Sequence, residues 1–89
     1  MIKVNKITDN QFRVIVEDRK SSSDHIVSIT PDYYHKLTNG KVTKSMLIQN
    51  AFEFLLEREP KESILSKFSL NDINRYFPEF ESEIKKLWW

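Results

Sequence analysis

The chain contains no cysteine and only one glycine among its 89 residues. Without cysteine it forms neither a disulfide nor a thiolate nucleophile, and cysteine-containing zinc sites are excluded. Because Gly40 is the only glycine, a glycine-rich phosphate-binding loop is also excluded, and tight turns have to use Asn, Asp and Ser. The fold must therefore depend on the packing of apolar side chains, which fits a reducing cytoplasm.

Long apolar runs and a strong charge bias are missing as well. No stretch approaches the roughly 18 apolar residues of a membrane span, and the beginning MIKVNKITDN lacks the apolar core of a secretory signal. We therefore expect a cytoplasmic protein without membrane attachment. The net charge of +1 is too small to indicate nucleic-acid binding through bulk charge.

The charge is nevertheless unevenly divided between the two halves of the chain. Residues 1–44 carry eight Lys/Arg and five Asp/Glu, whereas residues 45–89 carry six and eight. Two interpretations remain open. The basic half either faces phosphate or another anionic partner, or the split is an ordinary scatter of solvated charges.

The chain has 39% apolar and 12% aromatic residues. This content is sufficient for the core of one folded domain over residues 1–89. Apolar and polar residues alternate with a period of two over 2–7, 12–17 and 25–30, which predicts strands. After about residue 30 the apolar residues recur at helical spacing instead. The sequence thus predicts an α+β fold, in which a β-hairpin or three-stranded antiparallel meander (1–30) precedes a helical part (31–89) of four or five short to medium helices.

Helix boundaries are marked by capping residues. Thr30 is a candidate N-cap of a helix over 31–38 that ends at Asn39-Gly40. Thr43 is the candidate N-cap of a second helix that continues to Glu57. Its apolar residues form a wide stripe, which predicts burial on two sides, against the sheet and against another helix or a second subunit.

Pro60 separates this helix from a tail in which three further short helices are predicted, over 60–68, over 69–76 and from Pro78 onwards. Helices this short depend on packing, so we expect the tail to belong to the single core. The apolar residues expected to face inward are Ile64, Leu65, Phe68, Leu70, Ile73, Phe77, Phe80, Ile84 and Leu87.

Catalytic chemistry is weakly represented. Asp32 and His35 lie one helical turn apart, and Ser21–Ser23 precede His25, but no glycine elbow presents any of these serines to a base. Two histidines at this spacing are too few for a metal site. We therefore predict a protein that is not an enzyme and has no catalytic, metal or cofactor site.

The segment His25–Glu57 reads HIVSITPDYYHKLTNGKVTKSMLIQNAFEFLLE, a strand, a helix, a turn and a longer helix. It distantly resembles the ribbon-helix-helix DNA-binding proteins. That resemblance implies that Ile26 and Ser28 face the DNA groove and that Lys44 and Ser45 contact phosphate. It also implies that the strand pairs with its twin across a two-fold axis, in a regulator or an antitoxin whose helical tail holds a toxin.

The stretches FEFLLEREPKESIL and INRYFPEFESEI are similar to a family of small uncharacterised prokaryotic proteins, identified by the RYFPEFE motif. The resemblance covers most of the chain and implies an N-terminal β-hairpin and a helical tail. It supplies no activity.

Our first hypothesis is a non-enzymatic protein-interaction module that forms a homodimer and could also bind another protein. It follows from the missing catalytic geometry, the wide apolar stripe and the Trp pair at the end of the sequence. The candidate partner surface consists of Phe54, Leu56, Trp88 and Trp89. The alternative is a ribbon-helix-helix-type DNA-binding regulator or antitoxin.

Overall fold

The computed structural model describes residues 1–89 and has an α+β architecture, as predicted. Four strands form one sheet, and four α-helices accompany it. The strands are β1 (Ile2–Thr8), β2 (Gln11–Glu17), β3 (Ser22–Ser28) and β4 (Lys67–Ser69). The helices are α1 (Pro31–Thr38), α2 (Lys44–Leu56), α3 (Ile73–Tyr76) and α4 (Phe80–Lys85). No helix has both the length and the apolar character needed to cross a membrane.

The sheet has the order β1-β2-β3-β4. The first three strands form the antiparallel meander that the alternating pattern predicts. The fourth strand was not predicted. It lies beside β3 and runs parallel to it, with Val27 opposite Phe68.

The two faces of the sheet differ in polarity because side chains alternate along each strand. The inner face carries the buried residues Phe12, Val14, Val16, His25 and Val27. On the outer face Arg13 forms two hydrogen bonds to the Asp24 carboxylate from the guanidinium Nε, both 3.0 Å long. Lys3 and Glu17 form a second ion pair there, with 2.9 Å between Nζ and the carboxylate.

Side-chain caps fix the helix starts. The Thr30 hydroxyl accepts the Tyr33 N–H at 3.2 Å, and the Thr43 hydroxyl accepts the Met46 N–H at 3.2 Å. Helix α1 ends where Asn39 adopts the left-handed conformation (φ 54°), followed by Gly40 with φ 73°. These boundaries confirm the predicted caps and the predicted glycine stop.

Helix α2 lies at the centre of the molecule. Its buried residues are Leu47, Ile48, Ala51, Phe52, Phe54 and Leu55. The stripe is wide because one side packs on the sheet, with the Phe52 ring 5.4 Å from the His25 ring, and the other packs on the tail, with Phe54 5.1 Å from Phe80. The second layer is therefore the chain's own tail.

The tail departs from the prediction in three places. Residues 60–68 form a 3₁₀ turn (Lys61–Ser63) and an extended segment that becomes β4, instead of a helix. Helix α4 begins at Phe80, later than the start that Pro78 indicated. Leu65 and Leu87 are 52% and 54% exposed, so the prediction that they face inward is wrong.

Pairing with β3 explains the first of these departures. The Ile26 N–H donates to the Ser66 carbonyl at 2.8 Å, and Phe68 packs 6.0 Å from Phe52. A sheet edge that gains hydrogen bonds and core contacts overrides a weak local preference for helix.

Candidate functional site

The site begins where α2 ends. The Leu55 carbonyl accepts the N–H groups of Arg58 at 3.0 Å and Glu59 at 2.9 Å, which closes the last turn. Pro60 is extended (φ −70°, ψ 157°) and cannot continue the helix. The chain therefore turns away from α2 and returns towards β3.

Two hydrogen bonds hold the returning segment against β3. His25 Nδ1 lies 2.7 Å from the Leu65 carbonyl oxygen, and since a carbonyl only accepts, Nδ1 carries the proton. The next bond joins the Ile26 N–H to Ser66. Because the segment is extended, neighbouring side chains point in opposite directions. Ile64 is thus buried (7% exposed) and Leu65 faces outward.

The opposite wall is built by a capping box. The Asp72 carboxylate accepts the Ser69 N–H at 3.1 Å and starts the turn that leads into α3. From α3, Ile73 points into the core, while Tyr76 is 69% exposed. Phe77 is half-buried, with its ring 6.0 Å from that of Phe54.

Between these walls lies an open groove of about 400 Å³, here called the apolar groove. Seven of its ten lining residues are apolar: Leu55, Ile64, Leu65, Phe68, Ile73, Tyr76 and Phe77. The others are Glu59, Ser63 and Asp72. The groove can accommodate an apolar side chain of a partner.

The charges at the groove are negative. Glu59 is half-buried and forms no ion pair within the chain. Asp72 is only loosely paired, with Arg75 Nη1 3.5 Å from its carboxylate. An unpaired carboxylate beside an apolar surface favours a partner that carries a cation next to an apolar group. The carboxylate then pairs with the cation while the apolar surface contacts the apolar group.

The ion pairs of Lys61 fix the start of the segment that returns towards β3. The Lys61 side chain is 6% exposed, and its ammonium donates to Asp18 at 2.7 Å and to Glu62. Together with the N–H groups of Lys20 and Ser21, that ammonium lowers the pKa of Asp18 to about 2. The same two carboxylates raise the pKa of Lys61. The loop after β2 is thereby tied to the turn that begins the groove wall.

The residues predicted to contact DNA do not form one surface. Ile26 and Ser28 lie on the outer face of the sheet, whereas Lys44 and Ser45 begin the helix that covers the inner face. The Lys44 ammonium donates to the Asp9 carbonyl at 2.8 Å, an interaction within the chain. Ser45 is half-buried in the first turn of α2.

Strand β3 cannot pair with its twin as the ribbon-helix-helix resemblance implies. It is bonded to β2 on one side, and at Ile26–Ser28 to β4 on the other. That expectation is therefore wrong, because the chain's own tail occupies the edge that a symmetric ribbon requires.

Half of the Lys and Arg side chains of the basic N-terminal half form ion pairs within the chain. Four of its cations have carboxylate partners: Lys3 with Glu17, Lys6 with Asp9, Arg13 with Asp24 and Lys36 with Glu81. This pairing accords with the interpretation of the charge split as an ordinary scatter of solvated charges.

The predicted partner surface is partly internal. Phe54 is 6% exposed, and Leu56 and Trp88 are half-buried against the core. Trp89 is 60% exposed, although its indole N–H donates to the Leu37 carbonyl at 2.9 Å. Phe54 is therefore a core residue, because Phe77, Phe80 and the Arg58 guanidinium cover its ring.

Ser23 and His25 are the residues closest to a catalytic pair. The Ser23 hydroxyl lies 2.8 Å from His25 Nε2. His25 is only 2% exposed, however, and neither residue lines the apolar groove. Their hydrogen bonds hold the Leu65 segment in place. No three His, Asp or Glu side chains come together in a geometry that would hold a metal ion.

Sequence reasoning missed the apolar groove because its walls are three short segments that meet only in the fold. One signal was present. Ile64 and Leu65 are adjacent apolar residues after a proline, and in an extended segment only one of the two can face the core.

Comparison with known proteins identifies no family for this chain. The chain matches no protein-family model, no curated protein and no solved structure.

Proposed function

We propose that this protein is a non-enzymatic protein-interaction module whose apolar groove binds a partner segment with an apolar side chain beside a lysine or arginine. The observation that carries the proposal is the combination of exposed Leu65 and Tyr76 with the unpaired carboxylate of Glu59 around one open groove. Exposed apolar surface next to a recess is typical of binding sites for protein segments.

Charge complementarity determines the chemistry of the partner. The groove itself contains two carboxylates and no Lys or Arg. A bound apolar side chain is held by burial, worth about 25 cal/mol per Å² of apolar area, and the neighbouring cation adds specificity more than affinity. We therefore expect recognition of a short sequence pattern rather than of net positive charge alone.

Selection from a displayed library of random peptides tests the proposal. Wild-type protein should enrich peptides in which an apolar residue adjoins Lys or Arg. The variant Glu59→Lys should instead enrich peptides with Asp or Glu at that position. The matched control Glu53→Lys makes the same charge change at an exposed residue of α2 that lies outside the groove, and should leave the enriched pattern unchanged.

Affinity measurements on one enriched peptide complete the test. Leu65→Asp should weaken binding by at least about tenfold, because it places a carboxylate where apolar contact is needed. Since Leu65 is half exposed, thermal unfolding of this variant should stay close to that of the wild type. Failure to enrich any peptide, or binding that Leu65→Asp leaves intact, would refute the role of the groove.

A further inference from the structure

The β1 edge of the sheet has no neighbour, unlike the interior strands. Met1 and Glu17 exchange two backbone hydrogen bonds of 2.7 and 2.8 Å, so they form a hydrogen-bonded pair of the β1–β2 ladder. Such pairs alternate along an antiparallel ladder. The backbone N–H and C=O groups of Lys3 and Asn5 therefore also bond to β2. Those of the alternate residues of β1 point away from the sheet.

The outward-pointing residues are Ile2, Val4 and Lys6. A bulge between Lys6 and Thr8 shifts the register and ends the regular edge. Ile2 and Val4 also project side chains onto the inner face of the sheet, opposite Val16 and Val14. They remain half-buried because no strand lies beyond β1 to cover them.

We infer that this edge pairs with the same edge of a second copy of the chain, so that two four-stranded sheets join into one. The inference goes beyond the proposed function and rests on different residues from the apolar groove. In the antiparallel arrangement centred on Val4, residue Val4 faces its twin and Ile2 faces Lys6 of the second copy. About six backbone hydrogen bonds form, two for each facing pair.

The charges on β1 are compatible with this register. Lysines on an edge strand usually prevent edge-to-edge pairing. Here Lys3 is 2.9 Å from the Glu17 carboxylate, and Lys6 is 2.6 Å from that of Asp9. The Val4-centred register also sets Lys3 opposite Asn5 of the second copy, so no two lysines face each other directly.

The short regular edge, which ends at the bulge, restricts the pairing to one register. Sliding one strand by two residues in either direction shortens the overlap and leaves outward N–H groups unpaired. The second edge of the sheet offers fewer backbone groups for pairing, since β4 has only three residues. The expected product is a closed dimer instead of an open chain of copies, because each copy has one suitable edge.

Sedimentation equilibrium of the intact protein over a range of concentrations tests the dimer. We expect a dissociation constant on the order of ten to a hundred micromolar, as for a small interface. Val4→Pro removes the outward N–H of Val4 without removing a hydrogen bond to β2, since proline is accepted at such edge positions. It should raise the dissociation constant by about tenfold to a hundredfold.

The matched control Val4→Ala loses a larger part of the side chain but keeps the N–H, so it should dimerise more tightly than Val4→Pro. The groove variant Leu65→Asp should dimerise like the wild type, which separates this inference from the proposed function. A dimer that Val4→Pro leaves unchanged, or that Leu65→Asp dissociates, would place the interface elsewhere and overturn the inference.

Amide hydrogen exchange on the wild type gives a second measurement that requires no variant. With rising protein concentration the amides of Ile2, Val4 and Lys6 should become protected, while those of Lys3 and Asn5 are already protected in the monomer. A monomer at concentrations on the order of 1 mM, with no such alternating protection, would contradict edge pairing.

Discussion

At the residue scale, the nearly buried ammonium of Lys61 is the most consequential single group near the apolar groove. It connects the loop after β2 to the turn after α2 through Asp18 and Glu62. A lysine is rarely found so far from water without carboxylate partners. Both partners are carboxylates that carry a negative charge at neutral pH, and the Lys61 ammonium lowers the pKa of each.

This interaction predicts a specific loss of stability in acid. The pKa of Asp18 is about 2 in the fold, against about 3.9 in an unfolded chain. Its charged form therefore stabilises the fold above pH ~4, and this contribution is lost as the pH falls from about 4 towards 2. Asp18→Asn should unfold at lower urea concentration at pH 7, and its urea midpoint should change less than that of the wild type over that acid range.

The comparison needs a control that removes a carboxylate without removing an ion pair. Glu53→Gln is suitable, since Glu53 is exposed on α2 and has no cationic partner. Its urea midpoints should follow those of the wild type at each pH. Parallel pH curves for Asp18→Asn and the wild type would show that the Lys61 interaction does not stabilise the fold.

At the scale of single elements, the start of α2 is stabilised by one side-chain cap. Thr43→Ala removes the hydroxyl that accepts the Met46 N–H and should lower the free energy of unfolding by about 1 kcal/mol. Thr43→Ser keeps an accepting hydroxyl and should stay within a few tenths of a kcal/mol of the wild type. Urea unfolding of the three proteins measures both differences. Equal destabilisation by Ala and Ser would mean that the threonine methyl group, and not the cap, matters.

Elements whose signals are local were predictable from the sequence. The alternation of Phe12, Val14 and Val16 fixed β2, and Thr30 and Gly40 fixed both ends of α1. Each depends on neighbours within a few residues, so a period or a cap is sufficient to identify it.

Strand β4 and the apolar groove were not predictable in this way. A strand of three residues, Lys67–Ser69, is too short to show a period, and its stability comes from β3, about forty residues earlier in the sequence. Leu65 was predicted to face inward because a helix was assumed there. The extended conformation that turns it outward is imposed by His25 and Ile26, which no local pattern reveals.

At the scale of the whole molecule, one apolar cluster of 18 buried residues extends from the meander to α4. The tail contributes six of them: Ile64, Phe68, Leu70, Ile73, Phe80 and Ile84. Burial of each such side chain is worth about 1.5–3 kcal/mol, whereas a domain has a net stability of only about 5–15 kcal/mol. The meander and α2 alone should therefore not form a stable core.

Truncation after Glu59 should accordingly abolish cooperative thermal unfolding, as followed by near-ultraviolet circular dichroism. A shorter truncation after Lys86 serves as the control, because it removes Leu87, Trp88 and Trp89, none of which is fully buried. That variant should still unfold cooperatively. If residues 1–59 melt with the midpoint of the intact protein, the tail is a detachable partner-binding arm.

The parallel pairing of β4 with β3 has a consequence for synthesis on the ribosome. Translation proceeds at about 5–20 residues per second, so the codons between Ser28 and Lys67 take roughly two to eight seconds to read. During that interval the tail does not yet stabilise the β1–β3 segment, and whenever its strands pair, the edges of both β1 and β3 are open. In the completed protein β4 covers part of the β3 edge, so the nascent chain is most exposed to mispairing with other chains before Phe68 emerges.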